Sequence, residues 1–509
     1  MKPIGLLTII FILFLSNSTM LLSQNLSARV LDSISKQPIP YATVYLNGKG
    51  MITNEEGKFN FLLDESVTPS DSLFISCIGY ETTGRPLNQY TSANILLNPK
   101  AIELREVIVS NKNYTADEIM ELVEDHLEKN YANTYTKKRL FFRNSSFNRM
   151  VKTDYTIKKS TIKAFNQEFL DSIISTVPKS NSYYTEILGD LYGNFEEDQQ
   201  KLDLIKASEL YDKSKELDFE KLEEKFNDIL KKNVRTDSYF KIKSGLIGTK
   251  IDADELFESD VDSTDVAAVN KELENQKKRE EDRKKNFANY RKERLAEILM
   301  KLPINEDTDL DFLQKTRKYN YALKEFTYLG SDAVYVIQFA SKGSADYSGT
   351  LYINSDDFAV LQIDFENIKP VKKFNLLGIS ANAYLSKGKI IFFKNDSGQY
   401  SLRYLETEKG TRIGIKRPLK IIEKNKVVKG RNKQNELSGK IDFVFTDIEK
   451  NEVIVFDSEE INSATFESFT ENNSILPTYM PQYDPEFWKG YTIIEPNAAI
   501  REFTSEKTE

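Results

Sequence analysis

Residues 38–63 read PIPYATVYLNGKGMITNEEGKFNFLL. Ala42, Val44 and Leu46 alternate with Thr43 and Tyr45, and Phe59, Phe61 and Leu63 alternate with Asn60 and Leu62, the two-residue period of strands with one buried face. Between these runs stand Asn47-Gly48 and Asn54-Glu55-Glu56-Gly57, whose residues tolerate positive φ and close tight turns. Short alternating runs with turn signals continue over 25–110 and predict an all-β sandwich there.

Near residue 115 the period changes. Thr115 and Glu118 make a capping box, and Ile119, Leu122, Val123 and Leu127 follow at helical spacing, so a helix opens a second region spanning 112–509. Two stretches, about 196–232 and 265–300, are rich in Lys, Glu, Asp and Leu and read as a charged helical insertion within about 196–302. The pairs Glu274 and Lys278, Glu280 and Lys284, and Glu281 and Lys285 support an exposed helix there. From 318 to 460 the two-residue period returns: Ala359, Leu361, Ile363 and Phe365; Tyr400, Leu402 and Tyr404; Ile441, Phe443 and Phe445. These runs predict an antiparallel meander with one face buried, with Asn354 to Asp357 and Asn395 to Gly398 as turns. The fold class expected is mainly β with an α+β second region. The tail from 461 is less regular and holds the one tryptophan, Trp488.

A chain of 509 residues predicts two or three domains, and 40% hydrophobic with 29% charged residues is ordinary globular composition. The net charge of −8 gives no broad footprint for nucleic acid, which is rejected as a partner. One cysteine, Cys77, excludes a disulfide within the chain, and one histidine, His126, excludes every site that needs two imidazoles. Residues 1–24 carry Lys2, an apolar run from Ile4 to Leu15, and small or polar residues from Ser16 to Gln24. That is a secretory signal, since the run is shorter than the roughly 20 residues a spanning helix needs. No cysteine follows it for lipid attachment, and no other stretch is long and apolar enough to span a membrane as a helix. An exported protein is expected, periplasmic or outer-membrane associated.

Four motifs in order, Ala28 to Asp32, Pro38 to Val44, Thr53 to Phe59 and Ile75 to Tyr80, resemble the carboxypeptidase regulatory-like domain common in Bacteroidota envelope proteins. The segment Leu104 to Val109 resembles the short strand that often follows it. The family usually has Gly where Ala28 stands and Asp where Asn54 stands; the second departure removes an acid from that loop and leaves its turn chemistry. The resemblance implies a seven-stranded, transthyretin-like β-sandwich over about the first fifth of the chain. It does not imply peptidase activity, because zinc carboxypeptidases hold their metal with two His and a Glu, which one His cannot supply. The sandwich followed by a capped helix and a long Tyr-rich antiparallel region, closing on Tyr483 to Tyr491, is similar to a Bacteroidota group some members of which add an outer-membrane barrel. The region 320–456 resembles the periplasmic lipoprotein carriers.

No residue is nominated as catalytic, cofactor-binding or metal-ligating. His126, near the apolar stripe of its helix, reads as a boundary histidine with a satisfied hydrogen bond rather than a general base. Cys77, aligned with Leu73 and Ile75, reads as a buried inert thiol. The acidic run Asp252, Asp254, Glu255, Glu258 and Asp260 lacks the spacing of an EF-hand and reads as a solvated linker; Lys277 to Arg294 reads as a solvated helix face. No P-loop, GxGxxG, HExxH or GxSxG occurs. Three functions remain: a non-enzymatic envelope binding or scaffolding protein contacting another envelope protein or a surface glycan; a lipid or lipoprotein carrier with a cavity in the later sheet; and a hydrolase of unfamiliar type, which would need acids converging in a cleft.

Overall fold

The structure is a computed structural model. It describes residues 24–252 and 286–505, apart from 64–65, 91, 101–113, 132, 197, 216–218, 236, 246, 331, 396, 427–432 and 472–473, together with Lys278 and Asp282. The signal at 1–24 (Gln24 apart), the segment Leu104 to Val109, the acids Asp254 to Asp260 and most of the pairs expected over 274–285 lie outside the described residues. Two compact units form: residues up to Pro99 with Asp484–Asn497, and Lys100–Tyr483 with Ala498–Glu509.

The first unit contains β1 (Gln24–Asp32), β2 (Thr43–Leu46), β3 (Lys49–Ile52), β4 (Lys58–Leu63), β5 (Ser72–Ser76), β6 (Thr83–Pro86) and β7 (Asn94–Leu97). They form two sheets, β4-β1-β7 and β3-β2-β5-β6, the seven-stranded sandwich that was expected. Asn47 and Gly48 have φ of 47° and 83°, the pair of positive values that a two-residue hairpin between twisted strands requires. Asn54 closes its own turn: its Oδ1 accepts from Glu56 N and Lys58 N, each at 2.9 Å. Cys77 departs from expectation, because β5 ends at Ser76 and Cys77 opens a turn that Gly79 at φ 83° completes, leaving the thiol half-buried. The 484–497 segment belongs to this unit: Leu62 N donates to Thr492 Oγ1 at 3.3 Å and Asn54 Nδ2 to Glu495 O at 3.4 Å. Trp488 is buried there between the ring edges of Phe487 and Tyr491.

The second unit opens with α1 (Ala116–Asn130) and continues through β8 (Thr136–Ser160), α2 (Gln167–Thr176), β9 (Ser180–Gly193), β10 (Gln200–Tyr211), α3 (Phe219–Asn233), β11 (Ser238–Ser244), β12 (Ile247–Asp252) and α4 (residues 286–300). After these come β13 (Tyr319–Leu329), β14 (Asp332–Ser341), β15 (Tyr347–Asn354), β16 (Val360–Asn367), β17 (Lys372–Leu376), β18 (Ile379–Lys394), β19 (Tyr400–Asn425), β20 (Lys433–Glu460), α5 (Ser463–Ser468) and β21 (Thr478–Met480). One 14-stranded sheet results, ordered β13-β14-β15-β16-β18-β19-β20-β8-β9-β10-β21, with β17 on β18, β11 on β19 and β12 on β11. The sheet therefore exceeds the expected 318–460 meander, recruiting β8, β9 and β10 from upstream.

The helical reading of 196–232 is corrected in its first half, where β10 is a strand. A β-bulge between Leu204 and Lys206 inserts one residue, so Leu204 and Ala207 face the same way while standing three apart, which imitates helical spacing. The helix survives as α3. The basic run ending at Arg294 is also corrected: Lys292 pairs with Glu471 at 3.0 Å, Arg294 with Glu449 at 2.5 Å, and Arg291 is buried, so this end of the run docks through its charges.

At the start of α1 the capping box is complete. Glu118 N donates to Thr115 Oγ1 at 3.3 Å, and Thr115 N donates to Glu118 Oε2 at 2.7 Å, which holds that carboxyl below its ordinary value. Behind the cap Ile119, Met120 and Val123 enter the core. Thr115→Ala should lower the unfolding free energy of this unit by about 1 kcal/mol. Urea denaturation followed by tyrosine fluorescence checks it; an unchanged midpoint would show that the cap contributes nothing.

Candidate functional site

Cross-strand partners in an antiparallel sheet share a face, so the register reads out the large sheet row by row. On the face carrying the helices, the innermost row is Ile337, Leu351, Ile363, Ile390, Leu405, Val453, Phe142, Ile187 and Ala207, on nine successive strands. All are buried in one core with Ile119 and Val123 of α1 and Leu295 and Leu299 of α4.

Successive rows outward stand ~7 Å apart, two residues along each strand. In the next, Phe365 lies across Gly388, where a Cβ would meet the ring at 2.8 Å, and the row turns polar through Thr407, Asn451, Asn144 and Thr185. The third row includes Ser386, Lys409, Glu449 and Ser146, and the fourth Lys372, Ala383, Thr411, Asp447 and Asn148. Asn144 donates to Glu449 and to Asn451, each at 2.8 Å, and burial pushes the Asp447 carboxyl up.

Apolar character then returns. The fifth row is Phe374, Ala381, Ile413, Phe445 and Met150; the sixth is Leu376, Ile379, Ile415, Phe443 and Thr153. Phe374, Leu376, Ile379, Ile413 and Phe445 are 37–57% exposed, so no element among the described residues covers them. Large apolar side chains left exposed together on one face mark a candidate interaction site.

A cavity of about 220 Å³ lies between α4 and the first four rows. Ile298, Leu302, Phe365, Ile390 and Leu405 supply its apolar lining, while Lys372 and Lys409 stand at its outer side. Neither lysine makes an ion pair among the described residues. Thr411 and Ala383 close the lining, and the next residues along those strands on the same face are Ile413 and Ala381, so the exposed rows begin at the cavity rim. Farther along the same face, α3 covers a second cavity of about 170 Å³, lined by Phe165, Phe226, Leu230, Phe240, Ile421 and Leu437 among others.

His126 lies outside this site; its Nδ1 is 2.7 Å from Leu122 O and its ring is 5.9 Å from that of Phe358. Among the described residues no group of three or more His, Cys, Asp and Glu side chains is placed to hold a metal ion. No helix among the described residues is long and apolar enough to cross a membrane.

Residues 26–109 match the CarboxypepD_reg-like domain. That match covers the β-sandwich. No curated protein is similar to the chain. Among solved structures it is similar to a LolA superfamily protein from Nitrosomonas europaea, at 9% identity over 69% of this chain and 95% of that one, TM-score 0.18. It is likewise similar to a DUF1329 family protein from Desulfovibrio piger, at 11% identity over 70% and 98%, TM-score 0.18. TM-scores this low establish neither a common fold nor a common ligand.

Sequence patterning also missed Lys138. Its ammonium is buried beside Thr136 Oγ1 and 5.6 Å from the Phe195 ring, and burial pushes its pKa down to about 8. Folded protein sheds this proton before unfolded protein does, so the unfolded state holds more protons between about 8 and 10.5, and stability contributed by this site rises with pH across that window. Lys138→Met should therefore stabilise the protein at neutral pH, by on the order of 2 kcal/mol. The gain should shrink as pH rises through the window. Thermal unfolding of both forms from pH 7 to 10 tests this; a gain independent of pH would assign the effect to packing alone.

Proposed function

We propose that the protein is a non-enzymatic binding protein for acyl-chain amphiphiles with an anionic group, acting outside the cytoplasm. The observation that carries this reading is that the 220 Å³ cavity reaches, at Thr411 and Ala383 on its rim, the exposed apolar side chains of two outer rows on the same sheet face. The cavity alone is smaller than the roughly 300–1,000 Å³ of ordinary ligand pockets, whereas cavity and rows together offer a track for an extended chain. Lys372 and Lys409, exposed beside the cavity, supply point charges for an anionic group. Export follows from the signal-like first 24 residues. Of the expected functions, the carrier reading thus has a located surface to support it, and the sandwich would serve as an attached module.

The test is titration of the purified protein, without membranes, against a dansyl-labelled fatty acid. Saturable fluorescence enhancement is expected, and Ile413→Asp with Phe445→Asp should weaken binding at least about tenfold by placing charge on the chain's track. Both positions are exposed, so the fold should tolerate the change, as circular dichroism would verify. No enhancement with the unaltered protein would refute the reading.

A further inference from the structure

The connection between β17 and β18 is an apolar point on an unusually basic stretch. Leu377 and Gly378 turn the chain with φ of 50° and 80°. Positive φ is sterically disfavoured for leucine, and turns of this kind normally take Asn, Asp or Gly. All five residues of β17 are exposed, and Leu377 is 56% exposed at the tip. Phe374, Leu376, Leu377 and Ile379 thus present four large apolar side chains to solvent from six consecutive positions.

Charge is segregated around them. In a chain of net charge −8, residues 367–395 hold six lysines and no Asp or Glu. Lys369, Lys387, Lys389 and Lys394 are paired with carboxylates elsewhere. Lys372 and Lys373, next to the apolar point, make no ion pair among the described residues. On the face opposite the apolar rows, Lys373 aligns with Asn382 and Arg412, whereas Lys416, 80% exposed, stands 3.7 Å from Asp442.

We propose that this hairpin is a docking tip that inserts Phe374, Leu376 and Leu377 into the interfacial zone of an anionic lipid bilayer. A small apolar insertion and a cluster of cations are each weak membrane signals, and stable attachment takes two of them together. A bilayer surface satisfies both at once, the side chains entering the acyl boundary while the lysines meet lipid phosphates. A protein partner would need a groove lined with acids around an apolar floor. Docking stands on the hairpin alone and does not require that the cavity be loaded.

Co-sedimentation of the full chain with vesicles tests the proposal. The protein should pellet with phosphatidylcholine vesicles containing phosphatidylglycerol, pellet far less with pure phosphatidylcholine, and be released by salt. Leu376→Asp with Leu377→Asp should lower the bound fraction about tenfold or more, with thermal unfolding unchanged because both side chains are exposed. Lys372→Glu with Lys373→Glu should remove the preference for phosphatidylglycerol. Unaltered protein that ignores anionic vesicles, or an aspartate pair that binds as well as the parent, overturns the proposal. So does a dimer, seen by light scattering, that the aspartate pair dissociates while no vesicle binding occurs, because the face would then belong to a second copy. Unaltered protein that takes up the fatty acid but ignores anionic vesicles defeats the tip alone; unaltered protein that binds the vesicles but takes up no fatty acid defeats the ligand reading alone.

Discussion

The pairing of β19 with β20 and of β20 with β8 is the constraint on which the second unit depends. These strands are 26, 28 and 25 residues long, and every row of the sheet face passes through them. A slip of one residue would send Leu405, Val453 and Phe142 to the wrong side and unmake the core. The opposite face carries a device against that slip. Asp364, Lys389, Glu406, Glu452, Arg143, Glu186 and Ser208 form one cross-strand row, with Lys450 reaching Glu406 at 3.2 Å and Glu452 at 3.9 Å. Arg143, 1% exposed, is 2.7 Å from Glu186. Buried ion pairs add little net stability, but any other register would bury Arg143 without a carboxylate, a cost of several kcal/mol.

Much of the fold was legible because alternation and turn chemistry report local geometry. The Asn47-Gly48 hairpin, the Asn54 loop, the capping box at Thr115 and the turns at Asn354 and Asn395 all place donors and acceptors within a few residues of each other. What stayed hidden depends on distant pairing. β8 reads poorly as a strand because Arg143, Asn144 and Ser145 are polar on both faces, and only its neighbours show that Arg143 meets Glu186 and Asn144 meets Asn451. β10 was misread because its bulge changes the apparent period.

The candidate site was hidden for a related reason. Ile441, Phe443 and Phe445 announced a strand with one apolar face, and alternation alone implies that such a face is buried. Phe445 sits beside Ile413, Ile413 beside Ala381, and Ala381 beside Phe374, only because β17 to β20 pair in one register; no sequence signal states that nothing among the described residues covers them. The docking lysines were likewise invisible in a net charge of −8, which averages over a segment that is wholly basic.

Lysines on the edge strand β17 have an ordinary explanation, since charge on an exposed edge discourages pairing with other chains. That accounts for Lys372 and Lys373 but runs against Phe374, Leu376 and Leu377 on the same short hairpin, which would promote the association the lysines prevent. The polar third and fourth rows sharpen the contrast. They separate the buried innermost row from the exposed fifth and sixth, so the outer apolar side chains are not needed to complete the core. Side chains of that size, held in solvent at the cost of a leucine in a left-handed turn, contribute nothing to folding that the inner rows do not already supply. A surface arranged in this way is better explained by what it contacts than by what it stabilises.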